Sequence, residues 1–103
     1  MTPEGAVKKA VKKVLDDMGC YYFMAVQSGY GRRTLDFLVC HKGCFLGIET
    51  KAAGGKLTPL QKVCIKDIEA AGGECITIDS VEAASHLRHW IETHTSTMLG
   101  VHE

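Results

Sequence analysis

Two apolar segments separated by the dipeptide Lys42-Gly43 constrain the fold of this chain more than any other feature of its sequence. They span residues 34–40 and 44–51. Apolar segments around a short glycine-containing turn are typical of an antiparallel β-hairpin. A two-residue turn sets a register in which Asp36 lies directly opposite Glu49. The sequence therefore predicts that two acidic residues meet across neighbouring strands.

Lys51 belongs to the same predicted cluster. Directly opposed residues share one face of a sheet, and Lys51 joins Asp36 and Glu49 there because side chains alternate along a strand. Two carboxylates about 5 Å apart repel by roughly 3 kcal/mol at an effective dielectric constant of about 20. A divalent cation that prefers oxygen ligands would convert this repulsion into binding energy. We therefore expect a metal site at this pair.

A carboxylate-bound metal beside a lysine suits the hydrolysis of a phosphodiester bond. One or two divalent ions can neutralise the transition state, activate water and stabilise the leaving oxygen. Lys51 could stabilise phosphoryl charge or orient the attacking water, and the carbonyl of Thr50 is a further oxygen ligand. A second interpretation stays open, in which Glu49 and Lys51 form an exposed ion pair on an edge strand and Asp36 stands at a strand entrance.

The composition predicts one domain spanning residues 1–103. Of the 103 residues, 46% are apolar and 23% charged, and the formal net charge is zero, so any nucleic-acid binding must come from local patches. No apolar run is long enough to span a membrane, and the N-terminus lacks a signal-peptide pattern. The five cysteines form no Cys-x-x-Cys pair, which indicates reduced thiols in a cytoplasmic protein.

The first half of the chain reads as a helix followed by strands. Thr2 is the predicted N-cap and Pro3 the first helical residue, and Gly19 ends this helix. Four of its lysines, Lys8, Lys9, Lys12 and Lys13, are expected on a solvated face, with a second DNA-binding surface as the alternative. Residues 20–26 are nearly all apolar and predict a strand buried on both faces. A polar loop over residues 27–33 leads to the hairpin.

The second half predicts a helix, a strand and a helix. Thr58 and Pro59 repeat the helix-start pattern, and a buried stripe is expected at Leu60, Val63, Cys64, Ile68 and Ala71. Residues 74–78 predict a strand, and Ser80 caps a third helix that reaches about Glu92. The core is therefore about residues 2–92, with a mobile tail at 93–103. The order αβββαβα implies an α/β fold with a mixed four-stranded sheet flanked by helices.

Three segments together resemble a known family. They read Ser28-Gly-Tyr-Gly-Arg-Arg-Thr-Leu-Asp-Phe37, then Gly47-Ile-Glu-Thr-Lys51, then Gly55-Lys-Leu-Thr-Pro-Leu-Gln61. Over about residues 4–80 the chain resembles the VRR-NUC family, a branch of the PD-(D/E)XK nuclease superfamily, in the compact stand-alone form seen in phages. The family usually has Pro before the aspartate, where this chain has Leu35. The resemblance implies a restriction-endonuclease-like αβββαβ core, the element order already read from periodicity.

The resemblance also implies roles for individual residues. Asp36 and Glu49 would be ligands of Mg²⁺ or Mn²⁺ together with the Thr50 carbonyl, and Lys51 would be the catalytic lysine. Glu4, on the first helix, would complete the metal shell through water; as an alternative, it only complements the helix dipole. Gln61 would lie beside the active site, while its sequence position also predicts a capping box with Thr58.

Basic residues in two glycine-rich loops flank the predicted site. Arg32, Arg33 and Lys56 would contact DNA phosphates, although solvated loop charge is the ordinary role of any one of them. Zinc sites at Cys40-His41-x-x-Cys44 and at His86 and His89 are disfavoured because each lacks further ligands.

These features predict a metal-dependent DNA endonuclease. Stand-alone relatives resemble homodimeric enzymes that cut branched DNA such as Holliday junctions, and a symmetric dimer would present two sites. The third helix and the tail are the candidate dimer surface. Two alternatives remain at this point: a DNA-binding module without catalysis, and a nuclease subunit whose site is completed by a partner protein.

Overall fold

A computed structural model describes residues 1–25 and 34–100, with side chains described as far as Thr95. Four helices and four strands lie within these ranges, in the order α1 Pro3–Asp17, β1 Tyr21–Met24, β2 Phe37–His41, β3 Cys44–Thr50, α2 Pro59–Ala70, β4 Glu74–Ile78, α3 Val81–Ala84 and α4 Leu87–Gly100. None of the described helices has the length and apolar character needed to cross a bilayer.

The strands form one mixed sheet in the order β1-β2-β3-β4. The first three are antiparallel and β4 runs parallel to β3, which confirms the predicted fold class. Lys42 and Gly43 have φ angles of 50° and 83°, as a type I′ hairpin turn requires. His41 pairs with Cys44, so the predicted hairpin register is confirmed.

One face of the sheet, which we call the inner face, carries the core. The stripe of α1, namely Val7, Val11 and Leu15, packs there with α3 and α4. The sheet contributes alternate residues of β2 and β3, because side chains alternate between faces. The buried residues from the strands and the last two helices are Phe37, Val39, Cys44, Leu46, Ile48, Ile78, Ala84, Leu87 and Ile91.

The opposite side, the outer face, is covered by α2 near β3 and β4. Gly47 makes this contact close, since a Cβ atom at this position would lie 2.8 Å from Leu35 Cδ1 and 3.1 Å from Ile68 Cδ1. Thr58 caps α2 and Pro59 begins it, as the sequence predicts. Because α2 packs closely against β3 at Gly47, its N-terminus lies beside the end of β3.

Two predicted burial patterns are wrong. Tyr21 is 82% exposed and Phe23 is also exposed, so β1 is not buried on both faces. The reason is its position at the edge of the sheet, beyond the reach of α2. The helix α2 contains no fully buried residue, and Leu60 is 60% exposed. Because α2 is the one described helix that packs on this face, the sides of α2 remain in contact with solvent. The apolar spacing of α2 alone does not reveal this exposure.

The C-terminal region also differs from the expectation. The predicted third helix is divided into α3 and α4, because the NH groups of Ser85 and His86 bond to carbonyls three residues earlier. Helix α4 then continues through residues 93–100, where no pattern was expected. Thr95 is buried four residues after Ile91, so a polar residue occupies the inward position and hides the helical stripe. The mobility of residues 93–103 remains a prediction.

Candidate active site

A cleft of about 210 Å³ opens where the N-terminal ends of α1 and α2 meet the ends of two strands. The entrance to β2 contributes Asp36, the end of β3 contributes Glu49, and Lys51 follows directly. The three residues predicted to converge therefore line one cleft. The complete lining is Glu4, Lys8, Thr34, Asp36, Glu49, Lys51, Thr58, Leu60, Gln61 and Cys64.

Thr50 fixes the carboxylate of Asp36. Asp36 Oδ2 accepts hydrogen bonds from the backbone NH of Thr50 at 2.9 Å and from its hydroxyl at 2.7 Å. Both groups are buried, so these bonds are not exchanged for water. The other oxygen, Oδ1, lies 3.5 Å from the ammonium nitrogen of Lys8. One oxygen of Asp36 is thus structural, and among the described residues the other is paired with the ammonium group of Lys8.

Glu49 is only 3% exposed and is held by neutral donors on both of its oxygens. Oε1 accepts a hydrogen bond from the backbone NH of Asp36 at 3.1 Å. Oε2 accepts one from the side-chain amide of Gln61 at 2.6 Å and lies 3.7 Å from Lys51 Nζ. The two acids are therefore linked through their own backbone and fixed in orientation before any ligand binds.

The pKa of Glu49 is raised from 4.5 to about 7, mainly because burial disfavours its charged form. The negative charge of Asp36 raises it further, and that of Glu4 adds a smaller contribution. The NH of Asp36 and the ammonium group of Lys51 oppose these effects. The repulsion between the two acids, expected from the hairpin register, is thus present but smaller than the effect of burial.

Gln61 combines the two roles that its sequence position left open. Its side-chain carbonyl accepts the NH of Thr58 at 2.9 Å, and its own NH bonds to the Thr58 hydroxyl at 3.2 Å, which completes a capping box. Its amide nitrogen donates to Glu49. The cap therefore orients the amide, since the carbonyl side is fixed by α2 and only the donor side can face the cleft.

Lys8 is the residue of this cleft that sequence reasoning missed. The sequence predicts a solvated face for the lysines of α1, and Lys12 and Lys13 do form exposed pairs with Asp16 and Asp17. Lys8 instead points across to Asp36, and its side chain is 35% exposed. One signal was available: Lys8 follows Glu4 by four residues, so the two lie on the same side of α1.

The remaining predicted site residues are more peripheral. Glu4 lines the cleft and is partly exposed. Lys56 is exposed in the loop between β3 and α2 and does not line the cleft. Arg32 and Arg33 lie outside the described residues, so their predicted DNA contacts remain predictions.

The donor set suits a hard divalent cation. Asp36 Oδ1 and Glu49 Oε2 face ammonium groups at 3.5 and 3.7 Å, so cations already stand at both oxygens. Within residues 1–25 and 34–95, no cluster of three or more His, Cys, Asp or Glu side chains could hold a metal ion. Two carboxylates nevertheless match Mg²⁺, which typically keeps several waters and binds one or two carboxylates with substrate phosphates. The residues present therefore fit such an ion.

The cysteine and histidine residues within 1–25 and 34–95 form no comparable centre. All five cysteines have free thiols. Cys20 Sγ lies 3.4 Å from His41 Nδ1. His86, just before α4, and His89, in α4, are both exposed. In the part of the chain that the structure describes, none of these side chains joins a group of three or more potential metal ligands.

The arrangement defines an α/β protein with a polar cleft at the end of a mixed sheet. The chain is similar to a solved structure described as a VRR_NUC domain, with a TM-score of 0.71 and 22% sequence identity. The match covers 84% of this chain and 95% of the other. The chain thus has the VRR_NUC fold, as its sequence motifs predict. No protein-family model and no curated protein matches the sequence.

Proposed function

We propose that this protein is a metal-dependent DNA endonuclease that hydrolyses phosphodiester bonds. One observation carries the proposal: Asp36, Glu49 and Lys51 line a single cleft, with both acids oriented by buried hydrogen bonds. The solved structure of similar fold is described as a VRR_NUC domain, a name that denotes a nuclease and supports this reaction class. The proposed cofactor is Mg²⁺ or Mn²⁺.

Asp36 Oδ1 and Glu49 Oε2 would hold the ion together with the Thr50 carbonyl, and Glu4 would act through water. When bound, such an ion neutralises charge on the phosphate and lowers the pKa of water. Thr50 keeps the Asp36 carboxylate in place, since it occupies Oδ2 with two hydrogen bonds. Ligands that are already oriented need no reorganisation during the reaction, and this preorganisation usually makes the largest contribution to the rate enhancement.

Lys51 and Gln61 would act on the substrate side of the cleft. The ammonium group of Lys51 is held near Glu49 and would donate to a phosphoryl oxygen or orient the attacking water. The amide of Gln61 holds Glu49 Oε2, and it stands at the N-terminus of α2, where an anion is favoured. Lys56, Arg32 and Arg33 would contact the DNA backbone.

Cleavage of labelled four-way junctions with Mg²⁺, Mn²⁺ or EDTA tests the proposal. We expect cleavage with either metal, none with EDTA, and a loss of about a hundredfold or more in Lys51→Ala without loss of DNA binding. Lys13→Ala is the matched control, because Lys13 forms an ion pair on the same protein but outside the cleft. Full activity of Lys51→Ala would exclude the role assigned to Lys51.

A non-catalytic DNA-binding module is the second candidate. It is favoured by the pairing of both acids with lysines of the same chain, which neutralises them without a metal. DNA binding without cleavage under every metal condition would support it. Activity that appears only after a second protein is added would instead indicate a nuclease subunit completed by a partner.

The finer parts of the proposal concern substrate and assembly. The proposed substrate is branched DNA, and the proposed assembly is a cytoplasmic homodimer with two sites for paired incisions. Digestion of a panel of branched, nicked and linear DNA tests the first part. Light scattering of the purified protein tests the second, and a monomer at micromolar concentration would contradict it.

A further inference from the structure

Lys8 lines the cleft but has no part in the mechanism proposed above. Its ammonium nitrogen lies 3.5 Å from Asp36 Oδ1, while Asp36 Oδ2 is occupied by Thr50. The side chain is 35% exposed, so its end is neither sealed in the core nor free in solvent. A lysine from α1 therefore stands at the one oxygen of Asp36 that the protein leaves without a hydrogen bond among the described contacts.

The other ion pairs of α1 show that this contact is unusual. Lys12 and Lys13 bond to acids one turn ahead on the same helix, at 2.9 and 3.1 Å. Lys8 reaches a different element instead, and its 3.5 Å separation lies at the outer limit of a hydrogen bond. The contact is thus held by charge attraction more than by a directed bond. The long, flexible side chain of Lys8 allows its ammonium group to move.

The oxygen that faces Lys8 is also the one needed by a divalent cation. An ion bound at Asp36 Oδ1 would repel the ammonium group at such short range and would take its partner. Lys8 would then be a free cation within side-chain reach of the cleft. The strongest new partner there is a phosphate of a bound nucleic acid, because charge-assisted bonds to phosphate oxygens are among the strongest that lysine makes.

We propose that Lys8 is a phosphate-positioning residue, which rests on Asp36 in the metal-free protein and moves to a DNA phosphate when a divalent cation occupies that oxygen. This inference rests on the proposed function, since it needs both a cation and a nucleic acid in the cleft. It assigns Lys8 to substrate binding, whereas Lys51 stays beside Glu49 and the reacting phosphate.

The proposal predicts opposite effects on two ligands. In Lys8→Gln the competitor for Asp36 is absent, so Mn²⁺ should bind the DNA-free protein about fivefold more tightly. The same variant should bind a four-way junction more weakly when Ca²⁺ is present. The slope of log affinity against log salt concentration should then fall by about one, as expected for one lost phosphate contact. With EDTA instead of Ca²⁺, the slopes of variant and wild type should agree.

Two further variants control for other causes. Lys13→Gln removes an ion pair of the same helix outside the cleft and should leave both measurements unchanged. Lys8→Arg keeps the charge and should restore the salt slope of DNA binding. Mn²⁺ binding is followed by titration calorimetry, DNA binding by fluorescence anisotropy, and intact DNA is verified after each titration. Thermal unfolding of each variant confirms that the folded protein is compared.

Each result bears on the proposal. Tighter Mn²⁺ binding together with a smaller salt slope only in Ca²⁺ supports it. Unchanged or weaker Mn²⁺ binding, an unchanged slope in Ca²⁺, or an equal loss in EDTA overturns it. If wild type binds and cleaves DNA while Lys8→Gln behaves identically, only this inference fails. If the wild-type protein binds no Mn²⁺ and cleaves no DNA under any metal condition, the proposed function fails as well.

Discussion

The two faces of the sheet are built on different principles. The inner face is covered by α1, α3 and α4 and carries the buried apolar cluster of the protein. The outer face carries the cleft at one end, an apolar groove of about 760 Å³ beside α2, and exposed aromatic residues on β1. Stability is therefore concentrated on one face, and the polar groups suited to chemistry on the other. A substitution should affect mainly one of these properties, according to its face.

The largest expected effect lies in the cleft. Asp36→Asn keeps an oxygen to accept the Thr50 bonds but removes the charge needed for a cation. We expect cleavage to fall about a thousandfold, equivalent to roughly 4 kcal/mol, with unfolding free energy changed by less than about 1 kcal/mol. Single-turnover kinetics and urea unfolding measure the two quantities. A large loss of stability with the activity retained would contradict the division between the faces.

Neighbouring residues of β3 give the clearest contrast between the faces. Leu46 is fully buried on the inner face, while Phe45 points outward and is exposed. Leu46→Ala should lower the free energy of unfolding by about 2–5 kcal/mol through the cavity it leaves, and Phe45→Ala by less than about 1 kcal/mol. Chemical denaturation of both variants checks this. Equal losses would mean that the outer aromatic residues are packed in solution.

Gly47 tests how the outer face supports the cleft. An added Cβ would press on the ends of the Leu35 and Ile68 side chains, which can shift, so Gly47→Ala should destabilise by about 1–2 kcal/mol. The displacement of α2 should also weaken the contact between Gln61 and Glu49 and reduce cleavage. Denaturation and kinetics are measured on the same preparation. Unchanged activity would show that the position of α2 on the sheet does not control the contact between Gln61 and Glu49.

An effect no larger than that of Gly47→Ala is expected in the pH dependence of stability of the metal-free protein. Glu49 has a pKa of about 7 in the folded state against 4.5 ordinarily, so the folded state holds its proton more strongly. Stability should therefore fall as the pH rises from about 4.5 to 7, by about 1–2 kcal/mol after allowance for solvent screening. Thermal unfolding in EDTA measures this fall.

Glu49→Gln should lose this part of the pH dependence, because it cannot ionise. Glu82→Gln, which changes an exposed acid in the first turn of α3, should retain it. Parallel curves for wild type and Glu49→Gln across the same range would show that another group is responsible.

Local sequence was sufficient to predict much of this protein. The turn at Lys42-Gly43 and the alternation of its strands predicted the register that brings Asp36 opposite Glu49. The caps at Thr2 and Thr58 were equally readable, because each depends on a hydrogen bond to a residue three positions away. Turns and caps are local, so the residues that decide them are adjacent in the chain.

Contacts between distant elements were decided only by the tertiary structure. The apolar residues of β1 predicted a strand buried on both faces, and apolar spacing predicted a buried stripe on α2, yet only packing determines which half of the outer face α2 covers. The pairing of Lys8 with Asp36 joins α1 to the entrance of β2, and the donation from Gln61 to Glu49 joins α2 to β3, so each contact needs two distant elements to meet. Periodicity tells which residues share a side of one element, whereas the partner of that side depends on how all the elements pack.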